Sequence, residues 1–378
     1  MILHITNDFA HSKVYKNLVA NLDENGLKQT IYTPVKNENS VGGNFIELKQ
    51  KESKIIYSNI LNMHIDRIVF PLKINKIYKD ILTKVDFKNI KLIHAHTWYS
   101  DGAVALKLNK KYNIPYIIAV RGSDLNQFWK LPHLKNKGLE ILKNASKVIL
   151  ITPRYQERLL ALDKIKRLDT NFIEKTKVIT NGLDPYWINH VKDRKTKIDS
   201  PIKLLFIGVF SEAKNTLNLV KAVNKLVEQG VNCELNLVGG GGSCEKKVLA
   251  LIDNKAHIKF HGKIYAFEKL EQLFAQAHIY GMTSIRETFG LVYGEALSQG
   301  LPVLYSKNEG IDGVFNENIG VAVNPYSITS ISEGIKSIIE NYDSFDFDPE
   351  KIAQHLNWKS IAQRYIDLYN EQDSKTNP

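Results

Sequence analysis

Ser284-Ile-Arg-Glu287-Thr-Phe-Gly290-Leu-Val-Tyr-Gly-Glu295-Ala-Leu-Ser-Gln-Gly300-Leu-Pro-Val-Leu304 is the stretch on which the reading of this chain turns. The apolar run 279–282 just before it predicts a strand, and a polar turn follows. A helix then begins near Phe289 or Gly290 and runs to residue 299, with Gly300 as its stop and the next strand at 303–305. A helix that opens directly after a strand presents free backbone N–H groups and the positive end of its dipole, which is the geometry that binds phosphate. Gly290 allows an anion to approach the backbone closely. Glu287 lies in the turn and Glu295 in the helix, so at about 1.5 Å rise per residue they stand roughly 12 Å apart. That is too far to share a proton and suits two contacts along one elongated ligand. Isolated from its surroundings, the same spacing also describes a turn glutamate and an ordinary helix glutamate.

Outward from this stretch, the second half alternates strands at 203–207, 232–238 and 258–261 with helices at 217–229, 246–253 and 270–277, and ends on helices at 328–341 and 358–372. The first half alternates too, with strands at 2–5, 29–32, 92–94, 116–120, 147–151 and 177–180 and amphipathic stretches at 13–22, 103–112 and 134–143. Such alternation predicts parallel sheets covered by helices on both faces. Residues 189–200 are charged and nearly free of large apolar groups, which reads as a linker. The expected organisation is an α/β chain of two doubly wound, Rossmann-like domains, 1–188 and 201–357, with 189–200 between them. Residues 358–378 form a terminal helix expected to pack back on the first domain.

Charge divides the halves. Residues 1–200 carry 34 Lys and Arg against 19 Asp and Glu, a formal +15, and residues 201–378 carry 17 against 21, a formal −4. A basic half beside a mildly acidic one implies different partners, with an anionic acceptor or anionic membrane surface for the first; a lysine-rich solvated surface is the plain alternative. No nucleic-acid motif accompanies the charge, so no nucleic-acid partner is expected. Cys233 and Cys244 form no metal-spaced pair, and no structural zinc is expected. No apolar run approaches the roughly 20 residues of a membrane span. The start, Met1-Ile-Leu-His-Ile-Thr, reads as a strand rather than a signal peptide. A cytoplasmic location follows as the expectation, with peripheral attachment to the inner face of the membrane as an option.

The stretch that opened this section resembles the E-x7-E donor motif of retaining glycosyltransferase family 4, whose fold is GT-B, two Rossmann-like domains facing across a cleft. The resemblance runs through most of the chain. Leu205-Phe-Ile-Gly208-Val-Phe-Ser-Glu-Ala-Lys214-Asn resembles the family's Gly-Arg-Leu-x-x-x-x-Lys-Gly loop, and Leu237-Val-Gly239-Gly240 its Val-Gly-x-Gly loop. Phe260-His261-Gly262 is similar to the segment that lies beside the base, and Asn308-Glu-Gly310-Ile to the Gly-Gly-Ile loop. In the first half, His94-Ala-His96 resembles the family's His-x-His strand end, and Asn181-Gly-Leu-Asp184 its Asn-Gly-Ile-Asp turn.

The resemblance implies Glu287 and His96 as the groups nearest a transferred sugar. It implies donor contacts from Gly208, Lys214, Gly239, Gly240, His261, Gly262, Phe289, Gly290, Leu291 and Glu295, with Glu295 on the ribose. Arg121, Asp124 and Lys13 are candidates for diphosphate or acceptor contacts. Taken singly, Lys214 also reads as a solvated lysine, the glycine run as a flexible turn and His96 as a structural histidine. The chain departs from the family where Val209 replaces a diphosphate-binding arginine, where Arg121 replaces a histidine, and where Asn7–Lys13 replaces a glycine-rich loop. Asp346-Phe-Asp348 spells the metal motif of another glycosyltransferase class but lies in a polar segment far from the donor loops, so neither a metal nor another cofactor is expected.

What the resemblance implies is a metal-independent, retaining transfer of a hexose-type sugar from a nucleotide-diphosphate sugar to a glycan or lipid-linked acceptor, in bacterial surface polysaccharide synthesis. An epimerase or hydrolase of nucleotide sugars on the same fold, and a non-catalytic binder of sugar nucleotides, are the alternatives.

Overall fold

The computed structural model describes residues 1–62, 66, 69–168, 171–194 and 197–376. It divides into two compact units, one of Met1–Ile151, Tyr155–Asn181 and the C-terminal segment from Trp358, the other of Thr152–Arg154 and Gly182–Asn357.

The first unit holds seven strands: β1 (Ile2–Ile5), β2 (Gln29–Val35), β3 (Lys54–Asn59), β4 (Leu92–Ala95), β5 (Tyr116–Ala119), β6 (Lys147–Leu150) and β7 (Thr176–Val178). They form one sheet in the order β3-β2-β1-β4-β5-β6-β7, every pair parallel. A parallel sheet needs helical crossovers that cover both faces, so its strands read as continuous apolar runs. Ile93, Ile117, Ile118, Val148 and Ile149 are accordingly sealed from solvent. The strand order reverses between β1 and β4, which opens a crevice at their carboxyl ends.

Several elements of this unit go beyond the sequence reading, among them an edge strand and a long helix. β3 is an edge strand of mixed burial, and its Lys-Ile-Ile-Tyr-Ser-Asn run offers only a brief apolar signal. Helix Phe70–Lys84 carries Pro71 in its first turn, where its fixed φ and missing N–H fit although proline reads as a breaker in sequence.

The long helix Trp358–Thr376 belongs to the same unit. Trp358, Ile361, Ala362, Tyr365, Leu368 and Tyr369 repeat at helical spacing and pack with Ile2, Leu92, Ile117 and Ile149 in one buried cluster. The chain thus returns to β1, β4, β5 and β6 to cover one face of the sheet.

The second unit carries β8 (Ile202–Gly208), β9 (Cys233–Gly239), β10 (Ile258–Phe260), β11 (Ile279–Gly281), β12 (Val303–Ser306) and β13 (Gly320–Val323). Their order is β10-β9-β8-β11-β12-β13, again all parallel, with the reversal between β8 and β11. The division by contacts falls after Asn181 rather than at the charged run 189–200. Its cause is Trp187, fully buried on helix Pro185–Asn189 and packed edge-on against Phe267 and Phe274 of the second unit.

Asp346 and Asp348 have structural partners. Asp348 caps helix Pro349–His355 by accepting from Glu350 and Lys351 N–H, and Asp346 accepts from Asn318 N–H at 3.2 Å. Among the described residues, no helix is long and apolar enough to cross a membrane.

Ile361 is sealed within the cluster that joins the terminal helix to the first sheet. Ile361→Ala should cost about 2–5 kcal/mol. Urea unfolding followed by far-UV circular dichroism measures this, and an unchanged midpoint would contradict the packing.

Candidate active site

The groups singled out in the second unit converge at the carboxyl ends of its central strands. β8 ends at Gly208 in register with Gly239 at the end of β9. A Cβ on Gly239 would lie 1.9 Å from the Gly208 carbonyl oxygen, and its φ of +124° is one that side chains avoid. Gly240 N–H donates to Gly208 O at 3.3 Å, and Gly239 N–H to Gly262 O at 2.8 Å. Gly208, Gly239, Gly240 and Gly262 therefore form one backbone floor across β8, β9 and β10. His261 beside it is turned to Asn236, Nε2 to Oδ1 at 2.8 Å, and burial holds its pKa below the ordinary value.

Lys214 stands on the loop after β8. Its neighbour Asn215, at φ +59°, donates to Thr283 O at 2.9 Å and Pro325 O at 2.7 Å. Ile285 N–H donates to Ala213 O at 2.8 Å. These bonds clamp the loop onto the turn after β11, and Lys214 Nζ forms a short ion pair with Glu287 Oε2. The pair is only partly shielded from water. Glu287 is fixed on every side: its N–H donates to Glu309 Oε2 at 2.9 Å, its carbonyl accepts from Gly310 N–H at 3.0 Å, and its Oε1 accepts from Thr288 N–H at 3.1 Å.

The glycines around it are required by space. A Cβ on Gly290, at φ +77°, would fall 2.7 Å from the Tyr293 ring, and one on Gly310, at φ +57°, 2.9 Å from Glu287 Cγ. Gly290 also begins helix Leu291–Ser298 with no side-chain cap, leaving its first N–H groups for an outside acceptor. Phe289 is buried under this turn and Leu291 is half-buried. Glu295 lies one face further along. Its removal from water, reinforced by the negative charge of Asp184, raises its pKa to about 7.

Two residues escaped the sequence reading. Glu309 anchors the Glu287 backbone, but the family likeness drew attention only to Gly310 beside it. Lys263 Nζ would lie 3.4 Å from a Cβ on Gly241, and Val209 Cγ1 2.8 Å from one on Gly242. The glycine loop is thus flanked by an apolar side chain at position 209 and a cation from position 263. A lysine after the Phe-x-Gly segment was the available signal.

The first unit treats its expected groups differently. His4, His94 and His96 are completely buried. His4 Nδ1 lies 3.0 Å from His96 Nε2, and His94 Nδ1 lies 2.8 Å from Tyr369 OH. Their ligand atoms gather within 4.8 Å, as in a metal site. The His94 and His96 rings, however, stack at 3.9 Å and 29°. Imidazole lone pairs lie in the ring plane, so stacked rings aim them along separate planes instead of at one ion. Desolvation draws the pKa of all three below the ordinary histidine value. His96, expected to face a sugar, instead packs edge-on against Tyr15 and supplies its carbonyl to Arg121 Nε at 3.0 Å. The Arg121 guanidinium also sits 5.4 Å over the Tyr15 ring.

Asp124 is engaged within the protein as well. It is sealed from solvent and accepts from the N–H groups of Trp98, Tyr99 and Arg121 at 2.8–3.2 Å, so it fixes that turn rather than a ligand. Lys13 is exposed at the first turn of helix Lys13–Glu24.

A doubly wound sheet that presents a glycine floor, a lysine–glutamate pair and an uncapped helix start at its carboxyl edge has the geometry that suits an anionic ligand. Comparison with known proteins gives the family. Residues 12–187 match the family model "Glycosyltransferase Family 4", and residues 189–365 match "Glycosyl transferases group 1". The alpha-monoglucosyldiacylglycerol synthase of Acholeplasma laidlawii is 22% identical over 334 residues, 79% of this chain and 81% of that protein. Among solved structures, sucrose-phosphate synthase from Thermosynechococcus elongatus superposes with a TM-score of 0.75 at 20% identity, covering 99% of each chain. The Anabaena protein HepE in complex with UDP-glucose superposes with a TM-score of 0.66 at 16% identity, covering 98% of this chain and 99% of that one. The chain belongs to glycosyltransferase family 4, and its fold is GT-B.

A carboxyl with pKa raised to about 7 favours folding fully below its ordinary 4.5 and loses that contribution as pH rises through 7. Glu295→Gln lacks the titration. The wild-type chain should lose stability relative to this variant between pH 4.5 and 7, with a level gap above. Urea midpoints of both proteins across that range measure it; parallel curves would show that Glu295 is not desolvated.

Proposed function

We propose that the protein is a retaining hexosyltransferase that uses a nucleoside-diphosphate sugar as donor and a glycan or lipid-linked molecule as acceptor, in the synthesis of a bacterial surface polysaccharide or glycolipid. The observation that carries this reading is the Lys214–Glu287 pair, clamped beside the uncapped start of helix Leu291–Ser298. Phosphate oxygens take the free N–H groups of that helix, and Lys214 turns toward the leaving diphosphate as its charge grows. Glu287, released from Lys214, contacts the sugar, and Glu295 accepts from ribose hydroxyls. The leaving phosphate itself takes the acceptor proton, which keeps attack on the face the leaving group vacates and retains configuration. Positive charge comes from Lys214, Lys263 and the helix start, so the reaction needs no resident metal. HepE, whose structure holds UDP-glucose, supports a uridine donor. This reading places the protein in the cytoplasm, with peripheral attachment to the inner face of the membrane as an option.

Val209, half exposed at the glycine loop, favours one second reading: a homologue that binds sugar nucleotide without transferring it. Donor binding with no nucleoside diphosphate released, whatever the acceptor, would select that reading.

Lys214→Ala and Glu287→Ala should each lower transfer by about 100-fold or more, with far-UV circular dichroism unchanged. Release of nucleoside diphosphate from a panel of nucleotide sugars measures it. Near-normal turnover in both variants would remove this pair from the reaction. A thermal-shift screen over nucleoside diphosphates identifies the base, because a ligand that binds only the folded state stabilises it.

A further inference from the structure

At the carboxyl ends of β2 and β3, where doubly wound sheets hold their ligands, the first unit contains a cavity of about 560 Å³. Its walls are of two kinds. Lys36, Lys73 and His133 bring positive or protonatable groups, and Phe70, Phe128 and Leu131 bring apolar surface.

Lys36 follows the last residue of β2 and is exposed. Lys73 projects from the first turn of helix Phe70–Lys84 and donates to Ser100 Oγ at 3.0 Å. Burial draws its pKa down; Asp101 opposes this, and the charge of Lys36 adds to it. Two cations thus share one cavity at a cost that an anion between them removes. Asp66 of the wall acts on Lys73 in the same direction as Asp101, and it has partners of its own. Asp66 is committed to the Asn62 N–H at 2.5 Å and Lys76 Nζ at 3.3 Å.

The apolar wall is preformed: Phe128 stacks on Tyr99 with centroids 5.3 Å apart, and Phe70 lies 5.9 Å from Phe128. It continues outward through side chains left in water. Leu131 of the wall is 41% exposed, and Val69 and Leu72, flanking Phe70, are 37% and 55% exposed. Grouped apolar exposure of this kind marks a binding surface. A free phosphate or a sugar phosphate would use the lysines and leave this rim unexplained.

We propose that this cavity is the acceptor site and that it takes an amphiphile, with a phosphate beside Lys36 and Lys73 and an apolar portion along Phe70, Phe128 and Leu131. The proposal rests on the transferase reading for the word acceptor, but the binding chemistry can be tested apart from it.

Two probes separate the sources of phosphate: dihexanoyl phosphatidic acid below its micelle concentration, and glycerol 3-phosphate, each titrated calorimetrically into the full chain. The amphiphile should bind about tenfold tighter, the equivalent of burying roughly two methylenes. Lys36→Ala and Lys73→Met should weaken both probes. Leu131→Ser should weaken the amphiphile alone, and serine suits the helix N-cap that Leu131 occupies. The UDP-induced thermal shift should persist in all three variants, which certifies folding and keeps the donor reading separate. Equal affinity for the two probes would assign the cavity to a free phosphate and overturn the proposal. So would wild-type binding in every variant, or no binding of either probe. Loss of the UDP shift in the wild type would instead count against the transferase reading.

Discussion

Both sheets are wholly parallel, and that constraint organises everything else in the molecule. Strands covered by helices on both faces have no side chain to offer a ligand along their length. Chemistry is pushed to the strand ends, and in each unit it gathers where the strand order reverses or just beside that point. β9 ends on a glycine because a Cβ on Gly239 would run into the Gly208 carbonyl of its parallel neighbour. The backbone bonds that tie Gly208, Gly239, Gly240 and Gly262 are the same ones that leave a smooth surface for a flat or charged ligand.

On that edge, Lys214 and Glu287 neutralise one another. A partly shielded ion pair is weak evidence for stability, since desolvation offsets much of its attraction. Its geometry says more. Glu287 is held by Glu309, Gly310 and Thr288 through bonds that do not involve Lys214. The pair therefore holds a cation at the strand ends beside the uncapped start of helix Leu291–Ser298. Lys263 lies on the opposite flank of the glycine loop and has no such carboxylate holding it in the described contacts.

Much of this was legible in the sequence. The strand and helix periods of both halves, the Glu287 turn, the Gly290 start and the likeness to family 4 all follow from residue order, because buried parallel strands are compact apolar runs and glycines at tight crossings admit no substitute. Other features depend on contacts between distant residues. Trp187 falls within the first domain, 1–188, as read from the sequence, until Phe267 and Phe274 are seen around it. Asp124 looks like a ligand group until three backbone N–H groups are found on its oxygens. His96 sits at a strand end, as a catalytic histidine would, and only the stack with His4 and His94 shows that it faces inward. Edge strand β3 failed to register because an edge needs little apolar surface. Helix Phe70–Lys84 was hidden by a proline that belongs in its first turn.

The terminal helix gives the first unit an unusual schedule of assembly. Its sheet is encoded before Asn181, yet the helix that covers Ile2, Leu92, Ile117 and Ile149 arrives only after the whole of the second unit has been made. During synthesis the second sheet, nearly continuous in sequence, has all its parts while the first still shows water an apolar face. A chain halted ahead of Trp358 would carry every residue of the candidate active site and still lack a finished protein, sticky where the missing helix belongs.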